Sequence, residues 1–299
     1  MKDIEYWDRR EGKSAKEAIY GERFMRWIYE TPPGRLMTRA FLSRRPFSKA
    51  YGLLQSAPWS RRKIRPFIQR FSIPMDEYVD DGFRSFNDFF IRKFRPGARP
   101  IERSPSRMPA FAEGKYVAYA ESNVTDSYPL KGTQVPVSAL LGERGEREGW
   151  TARLEGGPLM IARLCPTDYH RYHYPDDGRT LDSYTVHGPL HSVSPIALGQ
   201  KEDILFTNER RVAILETACF GLLAYVEVGA ICVGRIVQSH DEKRPFKRGD
   251  EKGYFLFGGS TVVLLGEAKK WRPDSDLIAK TGEGLETAVR LGEGVAARC

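Results

Sequence analysis

Between residues 110 and 266 the chain is a succession of short, apolar, β-branched runs, and this texture restricts the fold more than any other feature. The runs cover residues 115–120, 159–164, 181–186, 212–215, 223–228, 231–237, 254–257 and 261–265, each of strand length. Turn residues such as Glu155-Gly156-Gly157 and Asp176-Asp177-Gly178 separate several of them. Many short strands with little helix between them predict a compact β core. The polar, Gly-containing tail from Asp274 onward is expected to lie at the periphery.

The front of the chain reads differently. Residues 14–72 are expected to form helical segments broken at Pro32-Pro33, Pro46, Pro58 and Pro66, because proline removes a helical hydrogen bond and clashes with the preceding turn. In the first segment Ala18, Ile19, Phe24, Met25, Trp27 and Ile28 recur at helical spacing. A short helix is expected over 85–92, with Ser85 as N-cap and Asp88 three residues on. Pro96-Gly97, Pro100, Pro105 and Pro109 then make a linker or wrapping arm. The predicted class is α+β: a basic amphipathic helical region in residues 1–84, followed by a β-rich core of short antiparallel strands in 85–299.

Charge follows the same division. The net charge is +8, but residues 1–103 hold 23 Lys+Arg against 13 Asp+Glu, and residues 31–75 hold ten basic residues and no acidic one. Leu36, Phe41, Leu53, Leu54 and Trp59 are interleaved with them. This mixture suits an anionic bilayer surface, where each Lys or Arg contributes on the order of 1 kcal/mol and apolar side chains enter the headgroup boundary. Nucleic acid would attract the same charge, but no recognition motif accompanies it. The plain alternative is a solvated helical face packed on the core. The most apolar stretch, 213–234, carries Glu216 and Glu227 and reads as two strands, not as the roughly 20 apolar residues of a spanning helix. The N-terminus shows no apolar signal region, so membrane contact is expected to be peripheral. Cys165, Cys219, Cys232 and Cys299 have no CxxC pair, which excludes a zinc-ribbon or disulfide framework and fits reduced, mostly buried thiols in a cytoplasmic protein.

Three clusters carry chemistry. Cys165-Pro-Thr-Asp-Tyr-His170-Arg-Tyr-His173 holds two of five histidines, able to serve as acid and base, to ligate a metal, or simply to satisfy hydrogen bonds; no HExxH-type pattern supplies further ligands. Phe257-Gly258-Gly259-Ser260-Thr261 lies between two strand-like runs. Its glycines open backbone shapes closed to other residues, which serves a β-bulge as well as it serves attack by the serine hydroxyl on the preceding carbonyl. Ala112-Glu113-Gly114-Lys115 places a carboxylate in a turn.

Taken in order, these segments resemble the phosphatidylserine decarboxylase proenzymes. Phe86-Asn-Asp-Phe-Phe90, Arg95-Pro-Gly-Ala-Arg-Pro100, Lys131-Gly132, Asp168-Tyr-His-Arg-Tyr-His173, Asn208-Glu-Arg210, Val228-Gly-Ala230, Lys247-Arg-Gly-Asp-Glu-Lys-Gly253 and Gly259-Ser-Thr261 fall in the family's order over about 180 residues. The resemblance implies that the chain cuts itself between Gly259 and Ser260. A large chain (1–259) and a small chain (260–299) would result, the latter capped by a pyruvoyl group made from Ser260. It implies His173 as the base for the Ser260 hydroxyl, oriented by the carboxylate at position 113, and His170 as the proton donor in decarboxylation. The family usually has aspartate where this chain has Glu113, so the reach of that carboxylate is longer by one methylene.

Through a Schiff base on the pyruvoyl group, phosphatidylserine would become phosphatidylethanolamine and CO2, with no metal required. The resemblance also implies peripheral residence on the cytoplasmic face of the cell membrane and homo-oligomers. The same chemistry on a soluble amino acid, and a membrane-binding relative that never matures, are the competing readings. The basic-apolar front argues against the first, and retention of Gly259, Ser260, His170 and His173 against the second.

Overall fold

The computed structural model describes residues 4–122, 136–232, 235–258 and 260–299. The chain begins with strands β1 (Glu5–Asp8) and β2 (Lys13–Lys16), then helices α1 (Glu22–Glu30), α2 (Pro32–Met37), α3 (Arg45–Ser56), α4 (Ile64–Phe71) and α5 (Phe86–Phe90). It continues with β3 (Arg107–Pro109), β4 (Gly114–Tyr119), α6 (Val137–Arg147), α7 (Trp150–Leu154), β5 (Leu159–Leu164), β6 (Arg171–His173) and β7 (Gly178–Val186). Next come α8 (Pro195–Leu198), α9 (Ile204–Thr207), β8 (Arg210–Thr217), β9 (Gly221–Val228), β10 (Ile236–Gln238), β11 (Glu251–Phe255) and β12 (Ser260–Gly266). The chain ends with β13 (Trp271–Pro273), α10 (Ser275–Gly282), β14 (Glu286–Val289) and β15 (Gly294–Arg298).

Nine strands form one sheet in the order β2-β1-β14-β4-β5-β12-β9-β8-β7, antiparallel except for the β1–β14 pair. The β-rich α+β class read from the sequence is the observed one. Strand β12 lies in the interior of the sheet, with Ser260 opposite Leu164 of β5 and Thr261 opposite Val228 of β9. All seven of its residues are buried, which is why it reads as an almost unbroken apolar run. Each fully buried Val or Leu there contributes about 1.5–3 kcal/mol relative to exposure, so the position of Ser260 is fixed by a strand that has no slack.

Two expectations change. The tail is not peripheral: β14 sits between β1 and β4, α10 packs on β4, and Leu277, Val295 and Ala296 are fully buried. Its polar residues misled the hydropathy reading because they are buried with partners; Thr281 Oγ1 accepts the Ala118 N–H at 2.9 Å, and Glu286 pairs with Arg163. The first residues are not helical either. The β1–β2 hairpin forms the edge of the main sheet, and its charged side chains suit an edge strand exposed to water. Helix starts at Glu22, so Ala18 and Ile19 precede it, while Met25, Ile28 and Tyr29 face the core and Phe24 and Trp27 face out.

The helical front attaches to the sheet through an aromatic cluster of Phe67, Phe86, Phe89, Phe90, Tyr169 and Phe257. Ser85 caps α5 as expected, its hydroxyl accepting the Asp88 N–H at 3.1 Å. Away from this cluster, Phe24, Trp27, Leu36, Phe41, Leu53, Leu54 and Trp59 stay exposed, Leu36 at 70% and Leu53 at 66%. Among the described residues no helix is long and apolar enough to cross a membrane.

Candidate active site

The pairing of β5 with β12 builds the site. Where β5 ends at Leu164, opposite Ser260, the chain turns through Cys165-Pro166-Thr167-Asp168. Asp168 closes this turn: its N–H donates to the Cys165 carbonyl at 2.8 Å, and its carboxylate accepts the Cys165 N–H at 2.8 Å. Lys115, from β4, holds the same carboxylate at 3.0 and 3.1 Å. Glycine precedes Lys115 of necessity, since a Cβ on Gly114 would come within 2.5 Å of the Arg163 carbonyl oxygen.

The turn delivers His170 to Ser260. The imidazole is fully buried, stacked on Phe90 with ring centroids 3.8 Å apart. Its Nε2 lies 2.8 Å from the Cys165 carbonyl oxygen, and its Nδ1 lies 3.3 Å from Ser260 Oγ. A carbonyl only accepts, so Nε2 carries the proton and Nδ1 presents a lone pair to the serine hydroxyl. Burial pushes the imidazole well below the usual histidine range, and the positive charges of Arg92 and Lys115 push the same way. His170 is therefore a neutral acceptor facing a serine hydroxyl.

His173, on β6, is placed differently. Its Nδ1 donates to the Gly249 carbonyl at 2.9 Å, and its Nε2 accepts from the Tyr169 hydroxyl at 3.4 Å. Burial lowers its pKa as well. Glu113 is clamped by Arg99 through two bonds of 2.6 and 2.9 Å and accepts the Leu291 N–H at 3.1 Å. Arg99 also binds Glu77 at 2.8 Å. The structure thus brings Ser260 and His170 together, while the hydrogen bonds described for His173 and Glu113 go to other partners. Gly259 and Lys131-Gly132 lie outside the described residues; Gly258 has φ 143°, a backbone angle that favours glycine.

A cavity of about 200 Å3 opens beside Gly258 and Cys165, walled by Tyr20, Met25, Phe47, Tyr51 and Phe257. At its margin Arg163 pairs with Glu17 and Glu286; the Arg163 Nη1–Glu17 Oε1 bond is 3.1 Å and the Nε–Glu286 Oε1 bond 2.7 Å. The sequence pointed to neither these residues nor Arg92 as part of a site, and it named Lys115 only as the last residue of the Glu113 turn. Asp168 was visible as a carboxylate three residues after Cys165, but its partner Lys115 is 53 positions away and no local spacing reveals it.

Comparison with known proteins gives the family. A family profile described as phosphatidylserine decarboxylase matches residues 86–297. The "Phosphatidylserine decarboxylase proenzyme" of Desulfitobacterium hafniense (strain Y51) is 37% identical over 297 residues, covering 99% of this chain and 98% of that protein. Those of Clostridium perfringens (strain SM101) and Clostridium botulinum (strain 657) are 36% and 35% identical, covering 97% and 99% of this chain and 98% and 99% of their own lengths.

Proposed function

This chain belongs to the phosphatidylserine decarboxylase family, and we propose that it is a carboxy-lyase made as a proenzyme, which cuts itself before Ser260 and then decarboxylates phosphatidylserine at a lipid surface. The observation that carries this reading is the buried Ser260 hydroxyl, 3.3 Å from the unprotonated nitrogen of a neutral imidazole, at the head of a fully buried strand.

In the self-cleavage, Ser260 Oγ adds to the Gly259 carbonyl carbon, the Gly259–Ser260 C–N bond breaks, and the amide becomes an ester. Elimination releases the Gly259 carboxylate and leaves a dehydroalanine. Water then converts it to the pyruvoyl group with loss of ammonia. A serine hydroxyl needs a base to take its proton. The family resemblance assigns that task to His173, with Glu113 as its orienter, and assigns His170 to the later decarboxylation. The observed contact favours a second reading in which His170 is also the base for cleavage, because its Nδ1 already faces Oγ while His173 bonds to Gly249 and Tyr169.

The residues around Ser260 fit a pyruvoyl group: the position is buried, an imidazole nitrogen lies 3.3 Å from Oγ, and the largely apolar cavity at Gly258 gives a substrate access. Once formed, that group supplies a carbonyl able to accept the electron pair released as carbon dioxide leaves the substrate. Phe90, Phe257 and Tyr51 exclude water, and His170 would hold or move the proton taken up by the substrate carbon that loses carbon dioxide.

The exposed Leu36, Phe41, Leu53, Leu54 and Trp59, set among Arg35, Arg39, Arg61, Arg62 and Arg65, support peripheral binding to an anionic membrane surface, on its cytoplasmic face. A soluble substrate would have no use for this face. The homo-oligomer implied by the family is part of the proposal.

Intact mass of the purified protein beside a Ser260→Ala control tests the reading. Two chains, the smaller matching residues 260–299 with a blocked N-terminus, are expected; an uncut 34.0 kDa chain after long incubation would overturn it. His170→Ala and His173→Ala separate the two assignments of the base. Loss of cleavage in His173→Ala alone selects the resemblance, and loss in His170→Ala selects the observed contact.

A further inference from the structure

Arg92 follows Phe90-Ile91 at the end of α5 and is only 2% exposed, yet none of its bonds goes to a carboxylate. A buried guanidinium without a counter-ion is costly, so its surroundings must compensate in another way. They do so with rings and carbonyls. The guanidinium carbon lies over Tyr78 at 4.5 Å and over Phe89 at 4.9 Å, within cation–π range of both. Nη2 donates to the Thr167 carbonyl at 2.8 Å and to the Asp168 carbonyl at 3.2 Å, while Nε and Nη1 are buried without hydrogen-bond partners.

Those two carbonyls belong to the turn that ends in His170. Phe90, two residues before Arg92, stacks on the His170 ring itself. The end of α5 therefore grips the site twice, the ring through Phe90 and the turn through Arg92. We propose that Arg92 is a positioning residue for this enzyme, clasping the Thr167–Asp168 turn so that His170 meets the Ser260 position in one orientation.

The inference rests on the reading that His170 works at Ser260. The charged and titratable groups around His170 are Arg92 from α5, Lys115 from β4, Asp168 on its own turn, and Cys165 with its partners Arg163 and Glu17. Lys115 is balanced by Asp168, and Arg163 by Glu17 and Glu286. Arg92 is the cation of this set with no carboxylate bonded to it. Its charge disfavours the imidazolium and keeps Nδ1 free to accept from a hydroxyl.

The test follows the His170 side chain directly, by 15N NMR titration of the full chain in the Ser260→Ala background, which needs no cleavage or activity. Arg92→Gln is expected to move the His170 titration to higher pH, and Arg92→Lys, which keeps the charge, to leave it in place. In the otherwise unaltered chain both variants are expected to process roughly tenfold or more slowly, since neither side chain reproduces a planar fork between two rings. An unmoved titration in folded Arg92→Gln, or equal shifts in the two variants, would overturn the inference. Should Arg92→Gln fail to fold, Arg92→Lys decides alone: an unchanged processing rate, or a shifted titration, refutes it. A moved titration with His170→Ala still processed and active would instead refute the reading of His170, and the positioning role of Arg92 with it.

Discussion

Asn87 Oδ1 accepts the backbone N–H of Phe257 at 2.9 Å, and its Nδ2 donates to Ser56 Oγ at 3.0 Å, so one buried amide joins the last residue of α3 to the segment entering Gly258-Gly259-Ser260. The exposed apolar face and the segment entering Ser260 are thereby held in one frame. Replacing Asn87 with Ala leaves the Phe257 N–H buried and unpaired, at a cost of about 1–3 kcal/mol. We expect a lower unfolding midpoint and slower appearance of the small chain, read by thermal denaturation and by a time course of denaturing gels. Normal kinetics of cleavage would show that the amide only supports the fold.

Glu113→Gln strips Arg99, whose side chain is 6% exposed, of its two-point partner. Leaving a buried charge unpaired costs about 3–5 kcal/mol, but Arg99 keeps its 2.8 Å bond to Glu77 and Glu113 is partly exposed, so this case is expected below that range. Urea denaturation of the uncut Ser260→Ala chain, with and without the substitution, measures it. A change below about 0.5 kcal/mol, as expected for a surface pair, would refute the clamp.

Glu17 gives a pH signature. Burial alone would push its carboxyl up, but the charge and hydrogen bonds of Arg163 outweigh that and bring it down to about 2, from 4.5. A depressed carboxylate stabilises the fold above its unfolded pKa and loses that contribution as pH falls through the folded value. Stability is therefore expected to fall between about pH 4.5 and pH 2. Glu17→Gln should be less stable at neutral pH and show a shallower acid limb by circular dichroism. Parallel acid limbs would contradict the assignment.

For the membrane face, Arg61→Gln combined with Arg62→Gln removes two exposed charges worth about 1 kcal/mol each near an anionic bilayer. Binding to vesicles containing phosphatidylserine is expected to weaken roughly thirtyfold in a flotation assay at low salt, with cleavage unaffected. Equal binding by both proteins would move the docking surface elsewhere.

What the sequence made legible was local. Ser85 as a cap, the run that became β12, and the Cys165–His170 turn all depend on residues within a few positions of one another. The partners of Glu113 and Arg92 do not. Arg99 reaches Glu113 from the proline-rich arm, and Arg92 binds backbone carbonyls and ring faces, which leave no mark in a pattern of residue types. The tail was misjudged for the opposite reason: Glu286 and Thr287 are polar by composition and buried by partnership, and hydropathy weighs only the first.

The placement of residues 260–299 bears on how the mature protein comes apart. Strand β12 is threaded between β5 and β9, β14 between β1 and β4, and β15 between β3 and β13. The proposed cut before Ser260 would sever one bond and leave every one of these seams closed, so the two pieces could not part without dismantling the sheet. The precursor folds as a single chain, with all its ends in register by covalent connection. The mature pair, once denatured, would have to find that register as two separate molecules, at a rate that depends on dilution. Cut in this way, the protein would fold once, and its later lifetime would be governed by how slowly it opens.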